Sequence, residues 1–338
     1  MERTGTSSRT AGDGSVTGGG AMTGSNNGRN IELGPGREFD IVRTLLDEWG
    51  RAAQRIGDDA AVLEVPPGER LVVTTDTSVE GVHFKREWLN HFEIGYRATA
   101  ASLSDLAAMG ARPLGIVIAL TLPDGDQHEA RELATGIREG ASAVMCPIVG
   151  GDLSAGKSLS LTITALGSVA RPLTRAGAKV GDKVYVTGVL GGPAAALRAW
   201  EAGKQPNDRD RARFAAPVPR IEPAMGLAAR GATSAIDISD GLAADANHIA
   251  AASKVGIQID AERVPCIEGA STEQAIGSGE EYELIVTAKN IDTRAFIEDF
   301  GLELTEVGRV IAGAPRVEIL RNGQPIAAPR GYDHFRDT

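Results

Sequence analysis

The chain has little of what marks a metal-thiolate, membrane or nucleic-acid protein. Its 338 residues include 2 cysteines, Cys146 and Cys266. They stand far apart in apolar surroundings, which excludes a Cys-x-x-Cys zinc site and a disulfide framework and reads as reduced, structural and cytoplasmic. No run approaches the roughly 18 apolar residues of a membrane-spanning helix. Lys and Arg number 35 against 45 Asp and Glu, a formal net charge of −10. They gather nowhere into the basic patch that nucleic acid needs. Residues 1–30, MERTGTSSRTAGDGSVTGGGAMTGSNNGRN, lack the apolar core of a signal peptide and the Arg pattern of a transit peptide. They read as a disordered tail, with almost nothing to bury.

What is present suits a globular α/β (α+β) protein. The chain is 42% hydrophobic, enough for a full core. Its length fits two domains at roughly 150 residues each. We place the first at 31–170 and the second at 171–338, with the boundary in ARPLTRAGAKVGD. Phe39, Val42, Leu46 and Trp49 recur at helical spacing before Gly50. The runs AAVLEV and LVVTTDTSV read as strands, and a helix follows from about Phe92 to Met109. LGIVIALTL is a strand, DQHEARELATGIREGA an amphipathic helix, and VMCPIVG and SLSLTITALGSV are strands. In the second half KVYVTG, SAIDIS, GIQIDA and EYELIVTA read as strands, and GPAAALRAWEAG and DGLAADANHIAAAS as helices. NDRDRARFAAPVPR reads as a charged loop. Asn322-Gly323 between apolar runs signals a hairpin.

From Gly151 the chain spells G-x-x-x-x-G-K-S, the pattern of a phosphate loop. Such a loop works because it opens a helix whose first amides face the anion. Here a strand follows Lys157-Ser158, so the match predicts no amide cradle.

The chemistry points instead to aspartates set among small residues at the ends of elements: Asp58, Asp59, Asp76, Asp105, Asp152, Asp237 and Asp240. Asp105 follows Ile94, Ala98 and Ala101 on the apolar face of its helix, where a lone ionised carboxylate is costly. Asp237 sits at a strand's carboxyl end, where open α/β sheets bind ligands. Ser239 and Asp240 also suit the first turn of the following helix, so capping alone would account for them. Taken together, clustered carboxylates repel unless hard cations lie between them, and Mg²⁺ with phosphate is the commonest such use. Arg175 suits a phosphate contact or a surface charge. His83 reads by itself as structural, Tyr282 as core packing, and Tyr332 as a ligand contact in a terminal loop.

The motifs IGDDAAV, TTDTSVEGVHF, LSDLAAMGARP, VGGDLS, LTRAGAKVGD, AIDISDGL, GEEYEL and GYDHF, in this order, resemble the thiamine-monophosphate kinases. These belong with the aminoimidazole ribonucleotide and selenophosphate synthetases. The resemblance spans roughly residues 36–336. It implies two α/β domains, with the N-terminal sheet pairing across a homodimer, and phosphoryl transfer from ATP to thiamine monophosphate without a general base. It implies several Mg²⁺ ions on Asp59, Thr74, Thr75, Asp76, Asp105, Asp152, Asp237 and Asp240. ATP would meet Gly151, Asp152, Arg175 and Ser239; thiamine monophosphate would meet His83, Glu280 and Tyr332. The chain departs from the family pattern at Ala155, Ser278 and Glu281. Neither a nucleic-acid partner nor a membrane is expected. Another synthetase of the superfamily, or a non-catalytic thiamine-phosphate binder, stands as the alternative.

Overall fold

The computed structural model describes residues 35–329 and residue 331. The tail at 1–30 and Tyr332 lie outside the described residues.

The first half runs α1 (Arg37–Trp49), β1 (Arg70–Val79), α2 (His91–Ala108), β2 (Arg112–Leu122), α3 (Gln127–Ser142), β3 (Ile148–Ala155) and β4 (Ser160–Val169). Its strands form a sheet in the order β1-β4-β2-β3, with β2 and β3 parallel and the other pairs antiparallel. α2 starts at a full capping box, Asn90 with Glu93. It packs against α3 so closely that a Cβ on Gly95 would strike the Leu133 carbonyl, and one on Gly136 the Phe92 carbonyl. The inner face of the sheet, with Ile118, Leu120, Leu161 and Ile163, is buried in the core beneath these helices. The outer face is open: Leu71 is 49% and Val73 56% exposed, beside Thr75 and Thr77.

The second half runs β5 (Lys183–Thr187), α4 (Gly192–Glu201), α5 (Asp208–Ala215), α6 (Ile221–Ala229), β6 (Ala232–Asp237), α7 (Leu242–Ser253), β7 (Gly256–Asp260), α8 (Thr272–Gly277), β8 (Leu284–Ala288), α9 (Thr293–Phe300), β9 (Leu304–Ile311), β10 (Val317–Arg321) and β11 (Gln324–Ile326). Its strands follow the order β11-β10-β7-β9-β5-β8-β6. The Asn322-Gly323 hairpin forms, both residues at positive φ (48° and 73°). One apolar cluster joins the halves, from Leu103 and Leu106 on α2 to Tyr185, Trp200 and Leu284.

Three readings need correction. AAVLEV is no strand: it has no ladder partner, and Val62 is 79% exposed. A strand without a partner leaves its backbone to water, so local propensity loses. NDRDRARFAAPVPR is not all loop. Asn207 accepts the Asp210 amide at 2.9 Å and caps α5, which buries Phe214. In VMCPIVG the strand begins only at Ile148, after Met145 turns at φ 54°. The match at Gly151 behaves as expected: β3 runs through Asp152 to Ala155, and β4 follows at Ser160.

Candidate active site

A cleft of about 790 Å³ lies between the two halves, lined by Asp76, His83, Asp105, Arg175, Asp237, Ser239, Asp240 and Glu280 among others. With Tyr282 it gathers nine of the residues singled out from the sequence. β1 supplies Asp76, α2 supplies Asp105, and the carboxyl end of β6 supplies Asp237.

At the acidic end the carboxylates are held by hydroxyls. Thr74 donates to Asp105 Oδ2, and Ser104 donates to Asp237 Oδ2 at 2.7 Å. Burial, then the charge of Asp105, pushes the Asp237 carboxyl up to about 7. The same two causes push Asp76 up to about 6. This is the signature of like charges crowded in a poorly hydrated place, and an all-oxygen donor set of that kind fits a hard divalent cation.

Beyond Asp237 the chain leaves the sheet. Ser239, Asp240 and Gly241 each donate a backbone N–H to one oxygen, Asp245 Oδ2, at 3.0 Å. Gly241 (φ 119°) is the N-cap of α7, and neither Ser239 nor Asp240 caps it. No side chain caps α7, and Asp245 in its first turn instead gathers the amides of the loop that precedes the helix. Asp240, Asp245 and His248 bring ligand atoms within 4.8 Å of one another, a further place for a cation.

Glu280, also on the cleft wall, accepts at Oε2 from Arg97 Nη2 and from the Tyr282 hydroxyl, both at 2.5 Å. Tyr282 lines the cleft instead of serving only as core packing. Trp88 stacks on Trp200 at 5.4 Å between ring centroids, and Lys85 sits 4.5 Å over Trp88. His83 Nδ1 accepts the Val79 amide at 3.1 Å.

Other expected residues lie elsewhere. Asp59 is exposed in a bend outside the cleft lining. Thr74 shares the inner face of β1 with Asp76, whereas Thr75 faces out and pairs with Thr164 at 3.1 Å. Gly151 and Asp152 lie on β3, opposite Ile118 and Ala119 of β2, and do not line the cleft. Gly331 does. Sequence reading missed Arg97, Ser104 and Asp245. Arg97 had a signal, since it precedes Ala101 and Asp105 by four and eight positions on one stripe of α2.

Residues 57–169 match the family described as AIR synthase related protein, N-terminal domain, and 179–319 match its C-terminal domain. Thiamine-monophosphate kinase of Escherichia coli (strain K12) is 38% identical over 320 residues, 88% of this chain and 96% of that protein. The crystal structure of thiamine-monophosphate kinase from Stenotrophomonas maltophilia K279a superposes with TM-score 0.75 at 35% identity, covering 87% of this chain and 98% of that one. AaThiL complexed with AMPPCP and TMP gives TM-score 0.70 at 30% identity, covering 88% and 96%.

Proposed function

The chain belongs to the thiamine-monophosphate kinase family, and we propose that it transfers the γ-phosphoryl group of ATP to thiamine monophosphate, giving thiamine diphosphate and ADP. The observation that carries this reading is one cleft lined by the carboxylates Asp76, Asp105 and Asp237 together with Glu280, Tyr282 and Trp88. A phosphate oxygen of thiamine monophosphate attacks the γ-phosphorus, and the bond to the β,γ-bridging oxygen breaks. A phosphate monoester's second pKa is about 6, so the attacking oxygen is already anionic and needs no general base.

Asp76, Asp105 and Asp237 would hold Mg²⁺, with Asp59, Thr74, Thr75, Asp152 and Asp240 completing the proposed set. Bound there, the metal would offset the charge of donor and acceptor phosphates. Arg175 and Ser239 on the cleft wall, with Gly151 and Asp152, face ATP in this reading. His83, Glu280 and Tyr332 receive thiamine monophosphate, the carboxylate matching the thiazolium cation. The open face of the first sheet, with exposed Leu71 and Val73, supports pairing with a second copy. Thr75 and Asp152 lie on that face, so they join the site in the paired form. The connection at 170–182 is the domain boundary we propose, and a cytoplasmic reaction, where ATP is at hand, is part of the same reading.

A coupled assay of ADP release, with thiamine diphosphate identified by mass spectrometry, tests the proposal. ADP formed only with thiamine monophosphate and Mg²⁺ supports it. ADP released equally without that acceptor, or thermal stabilisation by it with no ADP, overturns it.

A further inference from the structure

Arg97 is 5% exposed, and it leaves the N-terminal half to bind two separate pieces of the C-terminal half. Its Nη1 donates to the Phe214 carbonyl at 2.8 Å, and its Nη2 to Glu280 Oε2. The guanidinium carbon stands 3.9 Å from the centroid of the Phe214 ring. The Tyr282 hydroxyl donates to the same oxygen, Oε2. Among the described residues no hydrogen bond reaches Oε1, and the Glu280 side chain, 28% exposed, lines the cleft. Glu280 and Tyr282 both take the left-handed backbone, φ 63° and 52°. Non-glycine residues hold that conformation only where their surroundings impose it. Here the Glu280 amide is tied to the Ser239 carbonyl at 2.8 Å and the Tyr282 amide to the Ile238 carbonyl at 2.9 Å.

We propose that Arg97 is a positioning residue for the phosphoryl acceptor. With Tyr282 it occupies one oxygen of Glu280 and turns the other toward the cleft, where a cationic ring of the acceptor meets it. This rests on the reading that Glu280 receives the acceptor. Arg97 and Asp105 share one rigid helix, eight residues or about 12 Å apart along its axis. A single element thereby carries both the residue that orients Glu280 and one carboxylate of the Asp76, Asp105 and Asp237 cluster. Lysine cannot replace the planar fork, because one ammonium does not hold a carbonyl, a carboxylate and a ring face in that arrangement.

Steady-state kinetics on the full chain test this, varying thiamine monophosphate at saturating ATP and Mg²⁺, and then the reverse. Arg97→Lys is expected to raise KM for thiamine monophosphate about tenfold, as expected for a charge-assisted hydrogen bond lost. KM for ATP should stay within about twofold. Tyr282→Phe, which keeps the ring and removes one donor to Oε2, is expected to move the same constant in the same direction by a smaller factor. It decides the matter if Arg97→Lys does not fold. Unchanged KM for thiamine monophosphate, or equal changes in both KM values, overturns the positioning role while wild-type activity still supports the function. Absence of acceptor-dependent ADP release from the wild type strikes the proposed function instead.

Discussion

The segments around Gly151 and around Asp240 both set glycine, aspartate and serine in or just after a strand, yet their backbones part ways. At Gly151 the strand continues, and Asp152 stays in parallel register with Ala119. Its amides alternate between the β2 ladder and solvent, and Lys157 is an exposed turn residue. At Asp240 the strand has ended, and three successive amides converge on Asp245 Oδ2. A ring of amides forms only where the chain has left the ladder. Here an internal carboxylate takes it, so phosphates in the cleft must be met chiefly by cations.

Substitutions can break or sharpen that contrast. The largest effect is expected at the acidic end: Asp237→Asn or Asp105→Asn should lower kcat/KM by about 10²–10³, the usual cost of losing one electrostatic stabiliser. Rates of ADP formation at saturating Mg²⁺ check this, and near-wild-type turnover would remove these carboxylates from the site. Asp152→Asn should cost about 10² through the paired form; a silent substitution would leave the Asp240 side of the cleft sufficient. Asp245→Asn alters the acceptor of three amides, a carboxyl that burial pushes up to about 7. Its thermal midpoint should fall, and KM for ATP should rise more than KM for thiamine monophosphate.

Metal and pH act on the same carboxylates. Asp76 and Asp237 titrate above their unfolded value of about 3.9, so the folded state binds more protons and metal-free stability falls as pH rises from about 4 to about 7. Millimolar Mg²⁺ should therefore raise the melting temperature more at pH 8 than at pH 5.5, where protons compete for the ligands. An equal rise at both values would separate metal binding from this cluster. The smallest effect is expected at Lys157→Ala, whose turnover should stay within about twofold. Abolished activity there would restore the phosphate-loop reading that the strand argues against.

Much of this was legible from residues alone. The Ile94–Asp105 stripe, the strand at Asp237 and the Asn322-Gly323 hairpin are local patterns, and locally patterned elements form where periodicity, caps and turns agree. AAVLEV misled because its β-branched and apolar residues have no neighbouring strand. The charged run at 208–215 misled because its helix depends on an Asn207 cap and on burying Phe214 and Ala215 at its last turn. Arg97 and Asp245 were overlooked because their partners are carbonyls, amides and a carboxylate that the sequence does not place beside them.

The sequence by itself determined most helices and strands, the acidic character of the chemistry and the absence of a helix at Lys157, because these depend on neighbours within a few turns. Tertiary structure decided which aspartates meet. Ser104 reaches Asp237 across 133 positions and Arg97 reaches Glu280 across 183. Such pairs follow from strand order and helix packing, and residue spacing along the chain carries no record of either.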